Sequence, residues 1–194
     1  MATQLERSDL MSLEQYSQQR REFRSKVIAH KKHRRVGIGP HLFLYFEDRL
    51  TIQYQIQEML RIEKIFESDG IEEELSAYNP LIPDGQNLKA TAMLEYQDVD
   101  ERKQQLALLR GVEDLVWIQV GNFDPVYAIS NEDLERSNAE KTSAVHFMRF
   151  ELAPDMIAAL RSGAALKMGS NHESYRYNTD VEARICSSLL GDLD

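Results

Sequence analysis

Cysteine is nearly missing from this chain, with Cys186 the single one among 194 residues. One thiol excludes an internal disulfide framework, and it excludes a metal or iron-sulfur site built from several cysteines of one chain. Cys186 falls in an amphipathic stretch, where a free cysteine packs as a small hydrophobe. No apolar run reaches the roughly 18 residues a membrane span needs. The first residues, MATQLERSDL, are polar, so a secretory leader is not expected and the cytoplasm is the expected compartment. Positive charge is also short, since 23 Lys and Arg stand against 32 Asp and Glu for a net of -9. That balance argues against general nucleic-acid binding, which needs many cations to displace counterions from phosphates. The one tryptophan, Trp117, has no interleaved bases around it and reads as a core or sheet-face residue. There is no HExxH or ExxH pair and no strand-to-helix phosphate loop, so Gly37-Ile38-Gly39 reads as a bend. No period of roughly 20 to 50 residues recurs, which excludes a solenoid or propeller.

What is present is a pattern of short helices and strands on a chain long enough for one domain with a real core. Ser12-Leu13-Glu14-Gln15 is a capping box, and Leu13, Tyr16, Phe23, Val27 and His30 then follow one helical face. Val36 to Phe46 alternates as a strand, Asp48 caps a helix that runs to about Glu67, and Glu72-Glu73-Glu74 is a solvated helix start or turn. The stretch SAYNPLIPDGQN, with two turn signals, is expected to be an ordered loop, either a packed crossover or a cover over a site. Strands are expected at 88–96, 116–120, 126–129, 144–152 and 164–168, with helices at 98–110, 154–163 and 179–190. Residues 131–141 read as partly helical, and 169–175 as a polar loop with an exposed His172. Together these predict an α+β domain: a largely antiparallel sheet of about six strands with helices on one face and a long N-terminal helix. The single domain of 1–194 divides into a helical segment at 8–34, an α+β body at 35–177 and a C-terminal helix at 178–191.

Candidate chemistry concentrates between Val27 and Phe66. Lys31, Lys32, Arg34 and Arg35 form a basic turn in an otherwise acidic chain and, with Arg61, are candidates for binding an anion or an acidic partner. His30, His41, Glu58 and His146 are candidate metal ligands, because imidazole nitrogen with carboxylate oxygen suits iron, zinc or manganese. Three of the four have a plainer use. His30 and His146 sit on apolar faces where a histidine bonds to backbone, and Glu58 can pair with Arg61 across one helical turn.

The runs AHKKHRRV and GPHLFLYFEDRLTIQYQIQEMLRIEKIF, the loop AYNPLIPDG with NLKATAMLEY, and the strand KTSAVHFMRFEL resemble a family of uncharacterised bacterial proteins classified as a domain of unknown function. The resemblance covers roughly residues 5–177. What the resemblance implies is a gene often placed beside those of a rubrerythrin-like protein and of an iron-sulfur protein similar to a heterodisulfide-reductase subunit. The resemblance therefore implies a link to redox or peroxide defence and oxidative stress, with no catalytic residue attached.

Three functions follow as expectations. The first is an accessory or interaction protein of a redox system, offering its basic turn to an iron-sulfur or rubrerythrin-like partner, and compatible with a homo-oligomer. A small His/Glu metalloprotein or metal-dependent enzyme is the second. The third is a binder of an anionic small ligand that uses Lys31, Arg34 and Arg61 beneath the 78–85 loop.

Overall fold

The computed structural model describes residues 4–132, 136–137 and 140–194. The capping box forms as expected, with Ser12 accepting from Gln15 N at the start of helix α1, Leu13–Lys31. The expected strand from Val36 to Phe46 is instead a hairpin of β1, Arg35–Ile38, and β2, Leu42–Phe46. Gly39 turns the chain at φ +66°, a conformation open to glycine at no steric cost. Asp48 caps α2, Arg49–Glu63, which ends earlier than expected with Lys64 in the left-handed conformation. The Glu72 region and much of the expected loop are helical, as α3, Ser68–Tyr78, followed by a single 3-10 turn at Asn79–Leu81.

Strand β3, Asn87–Leu94, leads to α4, Val99–Leu108, and then to β4, Val116–Val120. Two short strands, β5 at Val126–Tyr127 and β6 at Ile129–Ser130, precede β7, Val145–Glu151. Of the stretch 131–141, read as partly helical, residues 133–135 and 138–139 lie outside those described, and the described ones are not helical. Pro154 opens α5, Pro154–Arg161. The polar loop expected at 169–175 is a second hairpin, β8 at Leu166–His172 and β9 at Tyr175–Asp180, because polar side chains alternate outward there while Met168, Ser170 and His172 point in. The terminal helix, α6, is correspondingly shorter at Ala183–Leu189.

The α+β class holds, with the strands divided between two antiparallel sheets instead of one sheet of about six. One has order β1-β2-β3-β7-β6 and the other β5-β4-β8-β9. The sheets face each other across one core. Val36, Leu44, Ala90 and Phe150 from the first meet Val116, Ile118 and Met168 from the second, and α4, α5 and α6 add Leu106, Leu160 and Leu189. Strands buried on one face show alternation, which is why β2 and β7 were legible. Tyr175 ties the sheets together. Its hydroxyl accepts from the amides of His41 and Leu42 and donates to the Ile38 carbonyl, all within 2.9 Å. Removing such a buried partner would strand groups at about 1–3 kcal/mol each.

The first three helices form a separate layer over the outer face of the five-stranded sheet, with their own core of Ile52, Ile56, Leu60, Leu75 and Ile82. The spacing of 52, 56 and 60 keeps those residues on one side of α2. The buried amide of Gln57 accepts from Met11 N at 2.6 Å, and Asn79 accepts from Leu5 N at 2.8 Å, so side chains pin the segment before α1 to this layer. Among the described residues, no helix is long and apolar enough to cross a membrane.

Candidate functional site

Parity decides which side chains of the five-stranded sheet face the helical layer. In β2 the inward residues are Leu42, Leu44 and Phe46, so Phe43 and Tyr45 face outward, and Glu47 continues that row just past the strand. The register then aligns Tyr45 with Thr91 and Thr91 with Phe147, and beside them Met93 with Val145. This outer face is too apolar to stand in water, and the helices cover it incompletely. Between sheet and helices lies a groove of about 510 Å³ floored by Met93, Val145 and Phe147 and walled by Ile52 of α2 and Tyr78 of α3.

Three polar side chains reach this groove with particular effect. Glu47 is only 9% exposed; Thr91 Oγ1 donates to its carboxylate at 2.8 Å, and no described cation ion-pairs with it. Lys31, half-exposed at the last position of α1, lines the same groove without an ion pair to any described residue. Gln55 of α2 is the third. A smaller hollow of about 270 Å³ adjoins the groove at Leu81 and Phe147, but its charges are already engaged. There Lys89 donates to the carbonyls of Pro80 and Ile82 at 2.7 and 2.9 Å, and burial lowers its pKa. Arg149 likewise grips Glu132 through two nitrogens and reaches Glu151.

The residues singled out from the sequence separate into distinct environments. Lys31 and the 78–85 stretch do meet, since Tyr78 and Leu81 line the groove with it. Arg34 does not serve as a surface anion site: it is 2% exposed, because its guanidinium is consumed by partners within the protein. Its Nε and Nη2 donate to the carbonyls of Phe46 at 3.1 Å and Glu47 at 3.0 Å, and Nη2 also pairs with Asp192. Asp48 stands 3.4 Å from Arg34 and 2.5 Å from His30 Nε2, which accounts for His30. Two carboxylates thus share one buried guanidinium. Burial pushes Asp192 up to about 6 despite Arg34, while Asp48, with Arg34, the Thr51 amide and His30 outweighing its own burial, is lowered.

Arg61 lies on the far side of α2 in a surface cluster around Glu58. Glu58 accepts from Tyr16 Oη at 2.6 Å and from Arg20 at 2.7 and 2.8 Å, and Arg61 adds a contact at 3.3 Å. The Arg20 hydrogen bond, followed by those from Tyr16 and Arg61, lowers Glu58 to about 2. His41 stacks on Tyr96 at 4.1 Å, with Nδ1 bonded to the Glu95 carbonyl. His146 is buried in a network with Thr142, the Ser143 carbonyl, Asn131 and Glu113, and burial lowers its pKa. The four proposed metal ligands are therefore not gathered into one site, and among the described residues no group of three or more His, Cys, Asp or Glu is placed to hold a metal ion. The reason is topological, since each ring or carboxylate finds its nearest partner on a different pair of elements.

Of the remaining basic-turn residues, Lys32 is exposed, and Arg35 lies over the Phe43 ring at 3.8 Å and near Glu95. His172, expected in solvent, is buried and held by the Arg110 carbonyl at 3.1 Å. Cys186 packs against the core, and burial raises its pKa. Glu47 and Thr91 were missed as a pair. The signal was there in principle: a charged residue ending a row of outward aromatics on a face that β3 and β7 also make apolar must lie under cover.

These features define an α+β protein of two opposed antiparallel sheets whose functional candidate is an amphiphilic groove beneath a helical layer. Residues 4–193 match the family described as protein of unknown function, DUF3501, and the chain belongs to that family. It is similar to a crystal structure of a novel protein of unknown function from Burkholderia pseudomallei K96243, at 53% identity and a TM-score of 0.94, over 99% of this chain and 100% of that one. No curated protein matches it.

Proposed function

We propose that the protein binds a small organic molecule in the groove between its five-stranded sheet and its helical layer. One observation carries the reading: an apolar floor meets a buried, incompletely partnered carboxylate and an ammonium without an ion pair among the described residues in the same concavity. Ligand sites have this composition, with mostly hydrophobic walls and a few convergent polar groups. The third expectation from the sequence is retained in altered form, with Lys31 kept and Arg34 and Arg61 removed.

The test is a thermal-shift screen of small amphiphilic metabolites, followed by NMR of the Met93 methyl. A ligand at about a hundred times its Kd adds about 2.7 kcal/mol, or roughly 5–10 °C in a domain of this size. Met93→Trp, which fills the groove, should weaken any such ligand at least tenfold while the variant stays folded. Hits that leave the Met93 signal unmoved, or that bind the Trp variant equally well, would place binding elsewhere.

A second reading makes the protein an accessory of a redox or peroxide-defence system, meeting an acidic iron-sulfur or rubrerythrin-like partner through its basic turn. The exposure of Lys32 and Arg35 supports it, as does a chain whose single cysteine leaves electron carriers to a partner. Pull-down from the native host at physiological salt is expected to retain such a partner and to lose it on Lys32→Glu/Arg35→Glu. Recovery of the bare chain alone speaks against this reading.

A further inference from the structure

We infer that the groove's ligand is a zwitterion whose two charges are separated by an apolar body, with its ammonium on Glu47 and its anionic end at Lys31. The inference rests on the binding reading above and adds to it the ligand's charge pattern. Glu47 is more than nine-tenths buried, yet its one hydrogen-bond donor among the described side chains is the neutral Thr91 hydroxyl. A buried carboxylate ordinarily takes a charged partner, because desolvation without one is costly.

The nearby cations do not fill that role. Arg34 touches Glu47 only through the main-chain carbonyl, and its charge answers Asp192 and Asp48. Lys89, whose amide-ladder neighbour is Glu47, directs its ammonium away to the carbonyls of Pro80 and Ile82. Lys31 enters the groove yet lies beyond ion-pair distance from Glu47, so the two opposite charges stand apart with Met93 and Phe147 among the floor residues they share. A simple amine would leave Lys31 unmatched and a simple carboxylate would leave Glu47 unmatched. A molecule with a cation at one end, an anion at the other and an aromatic or aliphatic middle matches both, in a medium where charge-assisted hydrogen bonds gain strength from partial desolvation.

The experiment uses four probes of one shape: 4-(aminomethyl)benzoate, benzylamine, 4-methylbenzoate and benzyl alcohol. Each is titrated into the full chain while the Met93 methyl is followed by NMR. The zwitterion is expected to bind at least tenfold more tightly than any of the other three. Glu47→Gln, which keeps an oxygen for Thr91, should reduce the zwitterion to the affinity of 4-methylbenzoate, and Lys31→Met should reduce it to that of benzylamine. If all four probes move the Met93 signal with equal affinity, the groove binds ligands and the charge pattern is wrong. The charge pattern is equally overturned if the zwitterion's advantage survives both substitutions. If none of the four moves the signal, the groove reading itself fails. The comparison among probes on the unmodified protein decides the matter even where a variant does not fold.

Discussion

Arg34→Met is expected to lower the thermal midpoint at pH 7 by about 10 °C. The guanidinium is buried among two carboxylates and three carbonyl acceptors, from Phe46, Glu47 and Ser188. Methionine fills much of the volume and supplies none of the charge, leaving Asp192 beside Asp48 with no guanidinium between them. Breaking a buried pair from one side costs about 3–5 kcal/mol, and each kcal/mol moves the midpoint of a domain this size by roughly 2–4 °C. The deficit should narrow toward pH 5. Asp192 already sits near 6 in the folded protein, above its usual value of 3.8, so the folded state takes up a proton more readily than the unfolded chain in that window. Acidification therefore neutralises the charge that Arg34→Met exposes. Adding Asp192→Leu should restore a large part of the loss, since removing both partners leaves no isolated charge. Calorimetry of the two variants at pH 7 and pH 5 checks this. An unchanged midpoint for Arg34→Met would mean that the buried cluster contributes nothing.

The second large effect concerns Glu58, whose pKa is displaced in the opposite direction to that of Asp192. Glu58→Gln is expected to cost about 2 kcal/mol at pH 7, because charge-assisted hydrogen bonds from Tyr16, Arg20 and Arg61 converge on one carboxylate. Glu58 has its folded pKa depressed from 4.5 to about 2, so the stability it contributes is complete above 4.5 and is lost as pH falls toward 2. The gap between Glu58→Gln and the parent should thus close on acidification through that window, while Asp192 titrates between 3.8 and about 6 with the opposite sign. Urea midpoints at pH 7, 5 and 3 separate the two groups. A difference that stays constant with pH would show that Glu58 acts through packing alone.

Much of the fold was legible because local signals and tertiary outcome agree. Ser12 and Asp48 announce their helices by capping, and β7 alternates over its whole length since one face is core. The β1–β2 hairpin was not legible. A hairpin at Gly39-Pro40 and a straight strand give the same alternation, because a tight turn returns the chain without disturbing parity on either side. For the same reason β8 and β9 were read as strand plus loop: β9 buries little beyond Tyr175 and looks polar throughout. The candidate site was legible only in part. Lys31 and Tyr78 drew notice as a basic turn and a loop, yet their meeting depends on the helical layer settling over the sheet, a long-range packing event with no local trace. Charged residues were the least readable, since sequence shows which ions exist and not which will find one another. Arg34 and Arg61 carry the same charge, yet one is interior and the other lies on the surface.

Arg34 also bears on how the chain is made. Its acceptors at Ser188 and Asp192 follow it by 154 and 158 positions, and Asp194 N closes onto the Gly85 carbonyl at 2.8 Å. A polypeptide leaving the ribosome therefore presents Arg34 with one of its carboxylates, Asp48, almost at once, and with the other, Asp192, only 158 positions later. Until then the guanidinium lacks its acceptors at Ser188 and Asp192, and full burial of its charge waits on the emergence of residues 188–194.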